Sequence, residues 1–169
     1  MTKYRLEVVK NNFSEWDKIL SDSQQCNIYF SPILLNNLGR RVKFFLVYKV
    51  NEVVAGIALL ESEENNKIEF DEIVIYNGIF FSSRDGKRLT GIRAEQFEIT
   101  EFIINELNNI YSSICLRLHP SFSDIRPFLW HNYGNNSKKF LTEVRYTTYL
   151  DITDINSNPE KILTNMSQI

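Results

Sequence analysis

The sequence predicts an α/β domain of the α+β kind, with a mixed, mostly antiparallel central sheet and helices on both faces. The stretch 43–61, KFFLVYKVNEVVAGIALLE, has two apolar runs joined across Asn51-Glu52, which is typical of a β-hairpin. Along the rest of the chain, strand-like and helical periodicities follow one another. A hydrophobic content of 43% is enough for the core of one domain of 169 residues.

The overall charge argues against some classes of function. The formal net charge is -2, with acidic and basic residues spread along the chain, so no strong field attracts nucleic acid or anionic membrane. Cys26 and Cys115 stand far apart in apolar surroundings, which predicts reduced, buried thiols and a cytoplasmic protein. We also predict no signal peptide and no membrane span, because MTKYRLEVVK alternates polar and apolar residues and no segment has the required apolar length.

The first forty residues predict one strand and two helices. Tyr4, Leu6 and Val8 alternate with charged residues, as in a half-buried strand. Ser14 is the predicted N-cap of the first helix. The apolar face of this helix comprises Trp16, Ile19 and Leu20.

The second helix has clear predicted ends. Ser31 is its expected N-cap, Pro32 suits the first helical position, and Gly39 is expected to end it in a left-handed conformation. The residues expected to face inward are Ile33, Leu34 and Leu38. The predicted hairpin follows directly.

Two irregular positions occur in the predicted strands. Gly56 lies inside the second hairpin strand, where a glycine allows a bulge or the close approach of another backbone, or is required by a packing neighbour. In the next strand the apolar parity changes at Asp71-Glu72, since Ile68 and Ile73 belong to opposite faces. This slip predicts a β-bulge, a feature common beside active sites, although an exposed edge of an irregular strand is the alternative.

The stretch YNGIFFSSRDGKRLTG is predicted to be a turn-rich loop. It contains no GxGxxG or GxxxxGK[ST] pattern, so a nucleotide-binding phosphate loop is not predicted. Apolar residues at helical spacing then predict the longest helix, from about Ile92 to Tyr111. They are Ile99, Ile103, Leu107 and Ile110. A strand containing Ile114, Leu116 and Leu118 follows, and His119-Pro120 ends it.

The last third predicts a helix, a strand and a further helix. SFSDIRPFLWHNYG has Ser123 or Asp124 as its cap, Pro127 in its first turn and Gly134 at its end. Its large side chains form either a core stripe or a recognition surface. FLTEVRYTTYLDI alternates over a long predicted strand, and a helix opens at Asn158 and Pro159. Because this helix opens well and has no C-terminal cap, we expect a longer parent protein.

No metal site is predicted, because the two histidines are too far apart to form a short motif and the cysteines form no CxxC. The sequence also contains no self-sufficient catalytic motif.

The order of the elements and three short motifs carry a family resemblance. The hairpin VYKVNEVVAGIALLE, with its glycine, resembles the second and third strands of GNAT-type acyltransferases. IYFSPILLNNLG, YNGIFF, and DIRPFLW followed by VRYTTYLDI resemble the N-terminal half of FemAB-like proteins, which are similar to two GNAT domains in tandem. The resemblance implies a GNAT-like domain over residues 1–153, with 154–169 as a linker and the start of a second domain.

The chain also departs from these families. GNAT enzymes hold the coenzyme A pyrophosphate on a Q/R-x-x-G-x-G/A loop, and RDGKRLTGIRAEQ has no GxG there. First domains of FemAB-like proteins usually lack that loop too. Leu34 and Asn37 stand where many FemAB members carry a tryptophan and a lysine.

The resemblance implies an acyl- or aminoacyl-transferase for an amine of a cell-wall or surface-glycan precursor, with acyl-CoA or aminoacyl-tRNA as donor. It implies a role in cell-envelope biogenesis, no sequence-specific nucleic-acid binding and a second GNAT-like domain as partner. The predicted substrate-binding residues are Tyr76, Asn77, Gly78, Arg126, Trp130, Arg145 and Tyr146. No catalytic base is predicted. The alternative is a non-catalytic GNAT-like scaffold that lacks the donor site.

Overall fold

The computed structural model describes residues 3–63, 66–84 and 86–146. Within these ranges the chain forms six strands, four α-helices and one short 3-10 helix. The strands are β1 (Tyr4–Val9), β2 (Arg41–Lys49), β3 (Glu52–Glu61), β4 (Lys67–Glu69), β5 (Gly78–Phe81) and β6 (Ser113–Ile114). The helices are α1 (Ser14–Ser21), the 3-10 helix (Ile28–Phe30), α2 (Pro32–Asn36), α3 (Leu89–Ile110) and α4 (Arg126–Trp130).

Strand β3 is the centre of the sheet. It pairs antiparallel with β2 along one edge, and β2 pairs antiparallel with β1. Along its other edge β3 pairs antiparallel with β4 and with β5, which therefore share one strand position. Strand β6 joins β4 in parallel. The sheet is mixed and mostly antiparallel, as the sequence predicts.

The two faces of the sheet carry separate apolar cores, because side chains alternate along each strand. Phe45 and Val47 of β2 belong to one core, whereas Phe44 and Leu46 belong to the other. The first core includes buried residues of α3 and α4, and the second includes buried residues of α1 and α2. Helices therefore cover both faces, and the predicted fold class is confirmed.

The predicted hairpin is confirmed as β2 and β3, and Gly56 has a packing reason. Gly56 stands directly opposite Phe80 of β5. A Cβ atom on Gly56 would lie 2.3 Å from Cζ of the Phe80 ring, far closer than van der Waals contact allows. Of the explanations open from the sequence, the one in which a packing neighbour requires a glycine is correct.

The parity slip at Asp71-Glu72 marks a much larger irregularity than a one-residue bulge. Leu60 pairs with Glu69, but Ala58 pairs with Gly78 where an uninterrupted strand would place Asp71. The chain therefore inserts seven residues and then returns to the same edge of β3. We call residues 70–77 the excursion. The alternation cannot distinguish one extra residue from seven, because both reverse the parity.

Two strand predictions are wrong. Residues 78–81 form β5, where a turn-rich loop is predicted, because their pairing partner on β3 is distant in sequence. Residues 140–146, the first half of the long predicted strand, are not in a strand. Alternation stabilises a strand only beside a partner, and the described part of the sheet offers these residues none.

Some predicted burial is also wrong. Val8, Ile33 and Ile110 are exposed although the sequence places them on apolar faces, and Leu35 takes the buried position in α2. That helix has only five residues, so its inward face is too narrow for the predicted set. Cys26 is exposed and Cys115 partly buried, and both are free thiols.

Most predicted helix features are confirmed, with shifts at the ends. Ser14 is the first residue of α1 and makes no side-chain cap, whereas the buried face of this helix is as predicted. Gly39 and Gly134 have the positive φ expected of glycines that follow helices. α3 begins three residues earlier than expected, at Leu89, and its inward residues Ile99, Ile103 and Leu107 are buried as predicted.

Three sequence predictions concern residues outside the described ranges. They are the second half of the long strand, the helix that opens at Asn158, and the boundary at residue 153 with a second domain beyond it. A separate finding concerns membranes: none of the described helices has both the length and the apolar character needed to cross a bilayer.

Candidate functional site

The residues predicted as a substrate site lie in three separate places. In chain order they are Tyr76, Asn77, Gly78, Arg126, Trp130, Arg145 and Tyr146. Residues 76–78 connect the excursion to β5, and Arg126 and Trp130 lie on α4. Arg145 and Tyr146 are exposed at the end of the last described range. Within the described ranges, no hydrogen bond, ion pair or ring contact joins a residue of one of these three groups to a residue of another. That the seven residues form one substrate site therefore stays a prediction.

Asn77 holds β5 beside the segment that follows β6. Its backbone N–H donates to the carbonyl of Arg117 at 3.0 Å, and its Oδ1 accepts the backbone N–H of Arg117 at 2.6 Å. Its Nδ2 donates a longer hydrogen bond to the carbonyl of Cys115 at 3.4 Å. Because Asn77 is only 3% exposed, these bonds fix the spacing between two neighbouring backbone segments. The adjacent Gly78 has φ +104, a conformation that favours glycine.

Replacing Asn77 with alanine is expected to lower the free energy of unfolding by about 2 kcal/mol, because the buried N–H of Arg117 loses its acceptor. Urea denaturation of both proteins measures the loss. Asn108→Ala is the control, since Asn108 is exposed and, among the described residues, its side chain hydrogen-bonds only to His131, and we expect a change below about 0.5 kcal/mol. Equal losses in the two variants would contradict the structural role of Asn77.

Beyond Asn77 the two segments separate into a fork, which we define as the gap between β5 and residues 118–122. Ser121 follows Arg117 by four residues, as Phe81 follows Asn77. A continuing parallel ladder would join the N–H of Phe81 to the carbonyl of Ser121. The side-chain amide of Gln25 lies between them instead: Oε1 accepts from Phe81 N–H at 3.1 Å, and Nε2 donates to Ser121 at 3.4 Å.

The edge of β5 that faces the fork can be assigned from its pairing with β3. Ser82 N–H donates to the carbonyl of Val54 at 3.1 Å, so Ser82 is a hydrogen-bonded position. Hydrogen-bonded and non-hydrogen-bonded positions alternate in an antiparallel pair, so the peptide groups of Ile79 and Phe81 point away from β3. The N–H of Ile79 therefore lies on the fork side, between Asn77 and the amide of Gln25.

Aromatic rings line one end of the fork. Tyr76 packs edge-on against His119, with ring centroids 5.1 Å apart, and against Tyr29 at 6.1 Å. All three side chains are partly buried. They bring together the excursion, the end of the β6 segment and the 3-10 helix, which are distant in sequence.

The protonation of His119 follows from its partner. The backbone N–H of Ser121, which can only donate, lies 3.2 Å from Nδ1 of His119, and with Nδ1 as the acceptor the Ser121 hydroxyl, 2.8 Å from the same atom, donates to it as well. In the neutral ring the proton therefore lies on Nε2. Burial lowers the pKa of His119, which favours the neutral form of the ring. His119 thus offers a hydrogen-bond donor at Nε2.

His119, Ser121 and Gln25 are missing from the residues predicted from the sequence. The available signal for His119 is its place at the end of the predicted strand, directly before a proline, although the observed strand β6 already ends at Ile114. Its carbonyl accepts from Phe122 N–H at 2.8 Å, which forms the turn that brings the ring back toward Tyr76. Gln25 gives no signal, because an isolated glutamine in a loop has no characteristic pattern.

The two residues predicted on α4 form a separate cluster. Arg126 makes two hydrogen bonds to the carboxylate of Asp124, at 2.8 and 2.5 Å, and its guanidinium lies over the rings of Phe97 and Trp130. This pairing raises the pKa of Arg126 and lowers that of Asp124. Arg145 pairs with Glu143 at 3.0 Å on the surface. Both arginines have carboxylate partners, which accounts for them without a ligand.

The start of α3 lies beyond the C-terminal end of β5 and is rich in cations. Arg88 occupies its N-cap position without a side-chain cap, and the first turn has no acidic residue. An open cleft beside it is lined by Lys3, Lys49, Lys87, Arg88, Gly91, Ala94, Glu95 and Glu98. The Nη2 atom of Arg84 is buried and has no hydrogen-bond partner among the described residues. Free backbone N–H groups and cations make this helix end suitable for an anion.

Glu95 is the buried acid in this cationic region. It pairs with Lys49, with Lys87 at 3.0 Å and with Arg84 at 3.4 Å. Burial raises the pKa of Glu95, but the hydrogen bonds from the two lysines and the charge of Arg84 outweigh it and lower the pKa to about 2. In the described part of the chain, no group of three or more His, Cys, Asp or Glu side chains is placed to hold a metal ion.

Comparison with known proteins gives limited information. No family model matches the chain, and no curated protein matches it. One solved structure that resembles it is described as "a possible acetyltransferase from Clostridium difficile 630". The similarity covers 88% of this chain and 99% of that one, with 14% sequence identity and a TM-score of 0.35. This similarity is too low to assign a function.

Proposed function

We propose that this chain is an acyltransferase whose acceptor amine and acyl carbonyl meet at the fork, beside Tyr76 and His119. The observation that carries the proposal is the fork itself. Its edge presents the N–H of Ile79, and its end holds a neutral imidazole with a donor at Nε2. Acyl transfer requires hydrogen-bond donors of this kind, because negative charge develops on the carbonyl oxygen.

The chemistry needs no protein nucleophile. The amine nitrogen attacks the carbonyl carbon of a thioester, a C–N bond forms and the C–S bond breaks. The proton that the amine loses balances the one that the leaving thiolate gains. In this scheme Ile79 N–H and His119 Nε2–H stabilise the oxyanion, while Tyr76 and Tyr29 orient the acceptor. The tyrosine hydroxyls make no hydrogen bond within the described part of the chain, so they are available to a substrate.

We propose acyl-CoA as the donor. Its diphosphate would bind at the start of α3, where uncapped N–H groups, Lys87 and Arg88 lie beside the open cleft. Its extended arm would follow the edge of β5 to Ile79, because β5 leads from the fork toward α3. This assignment differs from the sequence-based view in one respect: a helix start can bind phosphate without a GxG motif.

The finer proposal concerns the acceptor and rests on sequence motifs alone. The FemAB-like motifs favour an amine of a cell-wall or surface-glycan precursor, a donor of the aminoacyl-tRNA class as the alternative to acyl-CoA, and a second GNAT-like domain. Cation–π attraction from the rings of Tyr29 and Tyr76 would favour any acceptor that arrives as an ammonium ion.

A non-catalytic binding domain is the second candidate, and Gln25 favours it. Its amide occupies the place on the β5 edge where an extended ligand would pair, and it is 3% exposed. A permanently filled fork would leave a fold without a donor site. The acyltransferase requires the Gln25 side chain to leave the fork when the donor binds, whereas the non-catalytic domain does not.

Thiol release from acetyl-CoA, with glucosamine, lysine and spermidine as acceptors, tests the proposal. We expect turnover by the wild type and a kcat lower by about 10²-fold in His119→Ala, because an oxyanion donor is lost. His131→Ala is the control, since that ring contacts Asn108 and Asn132, and we expect no change. Equal rates in all three proteins would refute the assignment of His119. Absence of both turnover and acetyl-CoA binding would favour the non-catalytic domain.

A further inference from the structure

The amide of Gln25 replaces one rung of a parallel ladder. The two hydrogen bonds between Asn77 and Arg117 set the register between β5 and the segment after β6. In that register Phe81 N–H would pair with the carbonyl of Ser121. Gln25 accepts the first group and donates to the second, as a peptide unit of an inserted strand would. The two segments are therefore held apart by the width of one amide.

The loop that carries Gln25 is attached to the fork through polar contacts. Within the loop, Ser23 Oγ donates to Oε1 of Gln25 at 3.1 Å, and Ser121 Oγ on the other side of the fork lies 3.2 Å from the carbonyl oxygen of Gln24. Gln24 and Cys26, on either side of Gln25, are exposed. Hydrogen bonds to a ligand or to water can replace such contacts at little net cost, unlike the burial of apolar side chains.

The position of Gln25 conflicts with the path of the donor. The cationic start of α3 follows β5 in the chain, whereas Ile79 and His119 lie on the opposite side of Phe81. An extended arm that joins a diphosphate at α3 to a carbonyl at Ile79 must pass Phe81 N–H. The amide of Gln25 already occupies that group.

We propose that Gln25 is a gate: its side chain fills the fork in the free protein and leaves when the donor arm enters. The proposal rests on the function proposed above and adds its regulation. The arm of coenzyme A carries two amides, so one of them can take over the hydrogen bonds that Gln25 releases. Donor binding is thereby coupled to movement of the loop 22–27, and the fork stays closed to water until a donor arrives.

Amide hydrogen exchange and acetyl-CoA titration of the full chain test the gate. Gln25→Ala removes the rung, and Gln25→Met removes its hydrogen bonds while keeping its length. In both variants we expect exchange of the Phe81 amide to be about tenfold faster and acetyl-CoA to bind about tenfold more tightly, since one buried hydrogen bond no longer competes. Gln24→Ala, in the same loop with an exposed side chain, is expected to match the wild type in both measurements.

The outcomes separate the gate from the function. Unchanged or weaker acetyl-CoA binding by both Gln25 variants would overturn the gate, while acetyl transfer by the wild type would still support the proposed function. Failure of all four proteins to bind acetyl-CoA would overturn both. Should the variants not fold, the NMR signals of the Gln25 side-chain amide in the wild type decide, because a gate requires them to shift when acetyl-CoA binds.

Discussion

Replacing Gly56 with alanine is expected to lower the free energy of unfolding by about 3 kcal/mol, near the upper end for overpacking a core. The new Cβ would lie 2.3 Å from Cζ of Phe80 and 2.5 Å from its neighbour Cε1. The Phe80 ring has little freedom to move, because Trp16 and Phe30 pack against it with centroids 4.8 and 5.0 Å away. Phe80 and Trp16 are both 0% exposed. Urea denaturation of the two proteins measures the difference.

A second substitution shows whether the ring causes the loss. In the Phe80→Leu background, Gly56→Ala should cost clearly less than in the wild type, because the smaller side chain leaves room for the new methyl group. Gly91→Ala is the matched control: its Cβ would meet nothing within 4 Å, and its place inside α3 predicts a gain of about 0.5–1 kcal/mol. Equal costs in the two backgrounds would mean that the Phe80 ring is not the obstacle.

The hairpin and the long helix could be predicted because their signals are local. The apolar runs of β2 and β3 are long, and their turn lies between them in the chain. The inward residues of α3 recur at helical spacing from Ile99 to Leu107 within a helix of 22 residues, so the signal is averaged over several positions. Even the slip at Asp71-Glu72 was detectable in the sequence, although the size of the insertion was not.

Most of the fork could not be predicted, because it depends on contacts between distant segments. Gln25 and Phe81 are hydrogen-bonded across 56 positions of sequence, and Asn77 and Arg117 across 40. The periodicity of apolar residues within a segment does not indicate which residue of a distant segment lies opposite. A family-like motif predicts Tyr76 as a site residue, whereas the sequence around its neighbour His119 predicts only the end of a strand. The packing partner of Gly56 is likewise set by β5, whose residues the sequence predicts to be a loop.

Replacing Glu95 with glutamine is expected to cost about 3 kcal/mol, because the buried Arg84 loses its buried carboxylate partner and keeps only the exposed Glu52. The side chain of Glu95 is 9% exposed and that of its partner Arg84 is 8% exposed. Lys49 and Lys87 are more exposed to solvent, so water can partly replace the interactions that their ammonium groups lose. The expected loss is therefore near the lower end of the range for breaking a buried ion pair.

The loss should depend on pH in a defined direction. The pKa of Glu95 is about 2 in the folded protein and 4.5 in the unfolded chain, so its contribution is complete above pH 4.5 and disappears as the pH falls toward 2. Denaturation at pH 7 should separate the wild type from Glu95→Gln by the full 3 kcal/mol or so, and the difference should shrink steadily below pH 4.5.

Glu98→Gln provides the matched control for this prediction. Glu98 lies on the same helix and pairs with Lys3, but both side chains are about half exposed, so we expect a loss below about 1 kcal/mol. A difference between wild type and Glu95→Gln that stayed constant from pH 7 to pH 3 would mean that packing, and not charge, stabilises this position. Such a result would also weaken the case for an anion at α3, because Glu95 is the acid that now balances the cations there.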